Sequence, residues 1–306
     1  MESHSKPDAG SIEWNPVKQL LGHPGYEFIL ITLNQPIRDR SLFEDLWNSA
    51  ETKIAADGGA NQIYDLSKEK SPPGNRDGGP GQGPGQGPGS GEQFQDLDTI
   101  IGDLDSLTDE ARRYFSRSRI ALDPDQYSTD FAKAVRLARR ASPGRALVCV
   151  GGLGGRVDQG LSQLHHLYLF QKSPTYAEGR VYLVSGDSLS FVLKGGDGGR
   201  THRIRVREPG IGLQGEGEGE GKDKDSAPRR RRVSGDPFAK YVGIVPVGEP
   251  AVITTRGLEW DVEDWPTAFG GKMSTSNHVL PETEVVEVRT DKDVLFTIAL
   301  RQGAST

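Results

Sequence analysis

The sequence predicts an α/β chain: an N-terminal parallel-sheet domain with helices on both faces, followed by a C-terminal all-β sandwich domain. Up to about residue 172, apolar β-branched segments alternate with helical segments, which is typical of a parallel sheet covered by helices. Beyond that point come short β-rich segments with turn signals and little helix, which is typical of a sandwich or small barrel. The length of 306 residues also fits two domains of about 150 residues each.

The first domain is expected over residues 26–175. YEFILITLN (26–34) is a continuous apolar run, as in a buried strand, and KIAADGGANQIYDL (53–66) predicts a strand, a glycine turn and a helix start. Residues 128–141 and 157–170 predict helices with apolar residues on one face. In parallel sheets, ligands bind where strand ends meet helix starts. The acids and glycines of this chain cluster at such junctions.

The second domain is expected over residues 178–303 and begins with a hairpin at 181–194 around Gly186 and Asp187. The segments YVGIVPVG, AVITTRGLEWDV, EVVEVRT and VLFTIALR then predict further short strands.

Three segments are expected to lie outside the folded core: a flexible N-terminal extension (1–25) and disordered insertions at 71–91 and 208–236. Pro and Gly at the density of 71–91 leave too little apolar surface to offset the entropy of ordering. The Arg run at 229–232 is a localisation signal, a phosphate-binding patch or, as the preferred interpretation, a solvated charge run.

Charge and composition exclude some classes of function. A net charge of −6 argues against non-specific nucleic-acid binding, which needs a basic surface. No run approaches the roughly 20 apolar residues of a membrane span. The lone Cys149 cannot form an internal disulfide, and the N-terminus lacks an apolar signal core. We therefore expect a cytoplasmic protein with no membrane and no nucleic-acid partner.

The segment DTIIGDLDSL (98–107) ends a predicted strand in two acids, Asp103 and Asp105. Two carboxylates this close repel each other unless a cation lies between them. Mg²⁺ takes one or two carboxylates together with phosphates and water. The pair therefore predicts a metal–polyphosphate site, with a pair of exposed turn aspartates as the alternative.

Three further acids lie at similar junctions: Asp57 in AADGGAN, Asp130 in STDF and Asp158 in GGRVDQ. Each also has a simple structural explanation, because aspartate favours turns and the first turn of helices.

The segment GGLGGRVDQ (151–159) joins a strand to a helix through four glycines and one arginine. Glycines let the backbone approach phosphates, and a helix N-terminus favours anions. Arg156 is expected either to clamp a phosphate or to pair with an acid on the surface. In the second domain, Trp260 is expected either in the sandwich core or stacked on a flat cationic ligand. The run STSN (274–277) forms a turn or a polar ligand site.

Together these motifs resemble the thiamine pyrophosphokinase family. The resemblance covers about residues 26–303 outside the two insertions, through ADGGANQIYD, IIGDLDSL, PDQYSTDFAKAV, GGLGGRVDQ, GIVPVG, TTRGLEW and STSNHV. It implies transfer of a pyrophosphoryl group from ATP to the hydroxyl of thiamine, with Mg²⁺ as cofactor and AMP as the second product. It also implies a homodimer whose active site lies between the α/β domain of one subunit and the β domain of the other.

The resemblance also implies roles for individual residues. The Mg²⁺–polyphosphate acids are Asp103, Asp105 and Asp130, while Asp57 and Asp158 complete the pocket, and either of these two positions the thiamine hydroxyl. The ATP side comprises Gln126, Thr129, Asp130, Gly154, Arg156 and Asn61, although Asn61 alternatively fixes its helix junction. The thiamine side comprises Trp260, Ser274, Ser276 and Asn277.

Three other classes remain open: a Mg²⁺-dependent nucleotide hydrolase, a non-catalytic thiamine or nucleotide sensor, and a scaffold protein. The hydrolase would consume ATP without thiamine. The sensor would not need both acids of the Asp103/Asp105 pair, and the scaffold leaves the acid and glycine motifs unexplained.

Overall fold

The computed structural model describes residues 10–69, 93–209 and 237–301. The expected insertion 71–91 lies outside these residues, as does all of 208–236 except its first two positions. The helices are Pro16–Leu20 (α1), Arg40–Ser49 (α2), Gly59–Lys68 (α3), Asp109–Tyr114 (α4), Asp130–Ala141 (α5) and Val157–Phe170 (α6). None of the helices in this part of the chain is both long and apolar enough to cross a bilayer.

The strands of the first half are Ile12–Trp14 (β1), Phe28–Thr32 (β2), Thr52–Ala56 (β3), Thr99–Gly102 (β4), Arg119–Leu122 (β5), Ala146–Val150 (β6) and Val181–Val184 (β7). Those of the second half are Ser188–Leu193 (β8), Arg200–Arg205 (β9), Phe238–Val245 (β10), Ala251–Arg256 (β11), Trp265–Thr267 (β12), Ser274–His278 (β13), Val285–Thr290 (β14) and Val294–Leu300 (β15). The predicted α/β class with a β-rich C-terminal part is confirmed.

One ten-stranded sheet runs through both halves of the chain, in the order β13-β10-β15-β8-β7-β6-β2-β3-β4-β5. The six strands from β7 to β5 are parallel, and the four from β8 to β13 continue the sheet in antiparallel pairing. The chain order reverses between β2 and β6, so a crevice opens there at the carboxyl ends of the strands.

Helices cover both faces of the parallel half, as predicted. Successive strand side chains point to opposite faces. Leu30 and Ile100 therefore belong to a core shared with α2 and α3, whereas Ile31 and Ile101 belong to a second core with α5 and α6. Helix α5 begins at Asp130, and its N-cap is Thr129, whose hydroxyl accepts the Ala132 N–H at 3.2 Å.

The sandwich pairs the antiparallel half of the large sheet with a five-stranded sheet of order β1-β9-β14-β11-β12. Phe191 and Phe296 of the large sheet share one core with Ile204 and Val288 of the smaller one. The two expected domains therefore share a continuous sheet, and the hairpin predicted around Gly186 and Asp187 is formed by β7 and β8.

The expectation of a flexible extension over residues 1–25 does not hold for residues 12–20, which form β1 and α1. Strand β1 pairs in parallel with β9 of the sandwich. Trp14 is 1% exposed, stacks on Phe191 at 4.5 Å between ring centroids, and donates its indole N–H to His202 Nδ1 at 3.0 Å. Trp14 therefore anchors this segment to the sandwich core, together with the buried Val17 and Leu20 of α1.

Candidate active site

Three aspartates meet where neighbouring parallel strands end. Asp57 follows β3, Asp103 follows β4, and Asp130 begins α5, which packs on both strands. One carboxylate oxygen from each lies within 4.8 Å of the other two. We call these three residues the acid cluster. Oxygen ligands at this spacing suit a hard divalent cation such as Mg²⁺.

A glycine makes this close approach possible. A Cβ atom on Gly102, the last residue of β4, would lie 2.6 Å from Asp57 Cβ and 3.0 Å from Asp130 Oδ1. No side chain fits there without separating the carboxylates. The glycine before the acid pair is therefore part of the site.

Asp57 is the most enclosed member of the acid cluster, at 2% exposed. Its backbone has φ of +42°, a left-handed conformation that Asp and Asn adopt more readily than other non-glycine residues. One carboxylate oxygen accepts the Ser106 N–H at 3.1 Å, while the other, Oδ1, is buried with no hydrogen-bond partner in the described structure. Burial raises the Asp57 pKa, although the Ser106 bond opposes the shift, and the Asp130 charge adds to it. A buried, unsatisfied carboxylate oxygen fits a cation ligand.

Asp103 lies in a tight turn in which Leu104 has φ of +66°. Its carboxylate accepts the Asp105 N–H at 3.3 Å and the Gln126 amide at 3.2 Å. The Asp105 N–H lowers the Asp103 pKa most, and the Lys133 charge and the Gln126 amide lower it further. Asp103 is therefore held as a carboxylate.

Asp105 lies outside the acid cluster. Its exposed side chain accepts the Ser106 hydroxyl at 3.0 Å. The pair that drew attention in the sequence is thus split: Asp103 turns toward Asp57 and Asp130, and Asp105 lies on the rim of the same turn.

The acid cluster borders a cleft of about 380 Å³ near the crevice between β2 and β6. Gln126 and Thr129 line it, as expected for the ATP side. His166 also lines the cleft, and its Nε2 lies 2.8 Å from the Thr129 hydroxyl. Burial lowers the His166 pKa, so the ring is a neutral partner for Thr129 at neutral pH.

Asp158 does not join the acid cluster, contrary to the expectation that it completes the acidic pocket. It is exposed and pairs with Arg156 through bonds of 3.0 and 2.5 Å, and these bonds lower the Asp158 pKa. Of the two alternatives for Arg156, the structure therefore shows the surface ion pair. The loop before it is shaped by Gly154 and Gly155, both at positive φ.

Asn61 fixes its helix junction, which was the alternative to nucleotide contact. Its amide donates to the Ser106 carbonyl at 2.7 Å, and its Oδ1 accepts the Thr108 N–H at 3.0 Å. Asn61 therefore holds the turn that carries Asp103 against α3.

The expected thiamine-side residues gather at the opposite edge of the sheet. Trp260 is 56% exposed, so it is not a core residue, and its ring lies 5.0 Å from that of His278. Asn277 is buried and holds the Trp260 backbone through bonds of 3.1 and 2.9 Å. Ser274 begins the edge strand β13, and Ser276 is exposed with φ of +57°. Within β13, the side chain of Asn277 therefore supports the loop that presents Trp260.

The family models and the curated proteins that this chain matches share one name. Residues 43–177 match the family model "Thiamin pyrophosphokinase, catalytic domain", and residues 229–295 match "Thiamin pyrophosphokinase, vitamin B1 binding domain". Thiamine pyrophosphokinase 3 of Oryza sativa subsp. japonica is 31% identical over 90% of this chain and 88% of its own. The chain belongs to the thiamine pyrophosphokinase family. Thiamine pyrophosphokinase 1 of Arabidopsis thaliana is 29% identical over 91% of this chain and 88% of its own.

Solved structures of thiamin pyrophosphokinases share the fold. The Candida albicans protein matches with a TM-score of 0.70 at 20% identity, covering 95% of this chain and 93% of that one. The yeast protein matches with a TM-score of 0.66 at 22% identity, covering 97% and 94%.

The sequence analysis missed Lys133, which belongs to the site. Its ammonium nitrogen lies 3.1 Å from Asp130 Oδ1 and 3.9 Å from Asp103 Oδ2, and its side chain is 1% exposed. The signal for it was the i, i+3 spacing from Asp130 on a predicted helix, which brings side chains onto one face.

Proposed function

We propose that this chain transfers the pyrophosphoryl group of ATP to the hydroxyl of thiamine, giving thiamine diphosphate and AMP in a Mg²⁺-dependent reaction. The observation that carries the proposal is the acid cluster of Asp57, Asp103 and Asp130 beside a cleft near the sheet's crevice, in a chain of this family. Phosphate-bearing ligands favour such crevices in α/β sheets.

Asp103 and Asp130 are the proposed cation ligands, and Asp57, whose Oδ1 is buried without a hydrogen-bond partner among the described residues, belongs to the same cluster. Mg²⁺ held there supplies charge neutralisation for the polyphosphate. Asp105 remains a candidate ligand, because its exposed carboxylate lies on the same turn and is held by a single neighbouring hydroxyl in the described contacts.

The reaction forms a bond between the thiamine hydroxyl oxygen and the β-phosphorus of ATP and breaks the bond from that phosphorus to the bridging oxygen of AMP. The hydroxyl proton must leave. Of the two acids expected to position the hydroxyl, Asp57 belongs to the acid cluster, whereas Asp158 lies outside it and is paired with Arg156, so Asp57 is the proposed orienting carboxylate. The protein otherwise contributes positioning and electrostatic stabilisation.

The ATP side is proposed along the cleft. Gln126 and Thr129 line it directly, and the Gly154 loop and Arg156 lead into the N-terminus of α6. Arg156 leaves Asp158 to bind phosphate, since a solvent-exposed ion pair is weak and gives way to a charged ligand. Asn61 supports the site through the Asp103 turn.

Two chains are needed to complete the proposed site. Strands β4 and β13 are eight positions apart in the ten-stranded sheet. At about 4.8 Å per strand, the acid cluster and the Trp260 region are of the order of 38 Å apart along the sheet. A thiamine molecule cannot bridge that separation, so we infer a homodimer in which the β half of one subunit faces the acid cluster of the other.

Exposed apolar side chains support this pairing at both places. Tyr127, Val157 and Leu161 are exposed on the cleft side, on the loop before α5 and at the start of α6. Trp260 and Phe269 are exposed on the β half. Apolar surface of this kind marks interfaces and ligand sites. The buried, lone Cys149 and the acidic net charge further support a cytoplasmic enzyme without a nucleic-acid partner.

The test is product analysis of purified protein with ATP, Mg²⁺ and thiamine, alongside a reaction without thiamine. The proposal expects AMP and thiamine diphosphate in equal amounts, and neither product without thiamine. ADP would show single phosphoryl transfer and contradict the reaction type. Nucleotide breakdown without thiamine would establish the hydrolase, and binding of both ligands without product would establish the sensor.

A further inference from the structure

Lys133 is a buried charge inside the acid cluster. It lies one turn after Asp130 on α5, and its side chain is 1% exposed. Its ammonium nitrogen lies 3.1 Å from Asp130 Oδ1 and 3.9 Å from Asp103 Oδ2. Lysine is almost never fully buried unless it is paired, so its position depends on these carboxylates.

Lys133 differs from a lysine that binds phosphate. Such a lysine must present its ammonium group to the ligand, whereas Lys133 is absent from the residues that line the cleft. Its charge is directed at the carboxylates from within the fold. The lysine therefore acts on the acid cluster and not on the substrate.

The charges explain what such a lysine does. Three carboxylates with oxygens within 4.8 Å of one another repel strongly when no cation is present. One ammonium group offsets one of the three negative charges and leaves two, which a single divalent cation matches. The same positive charge also repels a divalent cation and weakens the affinity of the free site for it.

We propose that Lys133 is the internal counter-ion of the acid cluster. It keeps the carboxylates of Asp103 and Asp130 together in the cation-free protein and holds the affinity for free Mg²⁺ low, so that the cation enters with the polyphosphate. The inference rests on the proposed function only in taking the acid cluster as the cation site.

The test compares the full-length wild-type chain with Lys133→Met, which keeps the length of the side chain and removes its charge. Calorimetric titration with Mg²⁺ alone is expected to show binding at least about tenfold tighter in Lys133→Met. Thermal unfolding in EDTA is expected to show a lower Tm for the variant, with Mg²⁺ restoring it. The wild-type Tm is expected to change little with Mg²⁺.

Lys53→Met is the matched control. Lys53 is also mostly buried and pairs with an aspartate, Asp96 at 2.8 Å, but it lies outside the acid cluster. Its loss is expected to lower Tm equally with and without Mg²⁺. Equal or weaker Mg²⁺ binding by Lys133→Met, or a Tm loss that Mg²⁺ does not restore, would overturn the proposal.

If Lys133→Met does not fold, the proposal is tested with the wild-type protein. It is titrated with Mg²⁺ alone and then in the presence of a non-hydrolysable ATP analogue. Saturable binding of Mg²⁺ only in the presence of the analogue supports the proposed role of Lys133 as internal counter-ion. Tight binding of Mg²⁺ alone contradicts that role. Because no thiamine is present, these titrations can succeed or fail independently of pyrophosphoryl transfer.

Discussion

Asp57 and Asp103 follow neighbouring parallel strands, and their carboxylate oxygens lie within 4.8 Å of each other at the same edge of the sheet. They are 46 positions apart in the chain, and β3 and β4 bring them together. Gly102, the last residue of β4, has no side chain and so leaves room for this approach. Asp130, at the start of α5, is the third member of the cluster.

Asp130→Asn is expected to lower kcat by about 100-fold or more, because a neutral amide stabilises the cation and the polyphosphate charge less. Its Tm is expected to fall, because the buried Lys133 ammonium loses its nearest charged partner, so turnover is measured well below both unfolding transitions. Asp109→Asn is the control, since Asp109 also lies in the first turn of a helix but outside the acid cluster. The measurement is steady-state turnover with saturating ATP, Mg²⁺ and thiamine. Equal turnover in both variants would show that Asp130 does not act in catalysis and only favours the helix dipole at the start of α5.

Gly102→Ala is expected to separate the acid cluster, because the added methyl group meets Asp57 Cβ at 2.6 Å. Crowding of this kind costs about 1–3 kcal/mol of unfolding free energy. Loss of activity and a lower Tm are both expected. Gly248→Ala is the control, since a Cβ there meets only a ring carbon of Tyr168, at 3.8 Å. An active, stable Gly102→Ala enzyme would show that the cluster tolerates a wider spacing.

Asp57→Asn is expected to abolish most activity while stabilising the cation-free protein. Burial raises the Asp57 pKa, so its contribution favours folding below the ordinary carboxyl pKa and is lost as pH rises through the raised value. At neutral pH the ionised group therefore costs stability. Asparagine removes that cost and tolerates the positive φ.

The Asp57→Asn gain is expected to be about 1 kcal/mol, or about 2 °C in Tm, at neutral pH in EDTA. It should shrink near pH 3, below the ordinary aspartate pKa, where Asp57 is largely protonated in the unfolded state and, with its raised pKa, in the folded state as well. Thermal unfolding at the two pH values measures it. A variant less stable than wild type at neutral pH would show that the carboxylate stabilises the fold.

Local patterns predicted the elements of the fold. The helix predicted at 157–170 is observed as α6. The helix predicted at 128–141 is observed as α5, which begins at Asp130 directly after its N-cap residue Thr129. β1 was missed because three residues carry too little periodicity, and its pairing with β9 joins positions about 190 residues apart. The continuity of the sheet between the two halves of the chain was also missed, because the pairing of strands that are distant in the chain cannot be deduced from local patterns.

The site was predicted in part. The family resemblance grouped Asp103, Asp105 and Asp130 as cation ligands and added Asp57 to the pocket. The structure brings Asp57, Asp103 and Asp130 together and leaves Asp105 outside the cluster. Asp158 was misplaced because sequence spacing does not reveal that Arg156 turns back onto it. Lys133 was missed because a lysine on a helix usually faces solvent, and only the packing of α5 against β3 and β4 buries it.

In the proposed homodimer, the acid cluster and the Trp260 region meet only across two chains. This arrangement is tested by combining Asp103→Asn and Trp260→Ala, each expected to be inactive alone, in one sample by co-expression and refolding. Random pairing makes half of the dimers mixed, and each mixed dimer has one intact site of two, so about one quarter of wild-type activity should return. No recovery, with mixed dimers present, would place both halves of the site within one chain and contradict the account.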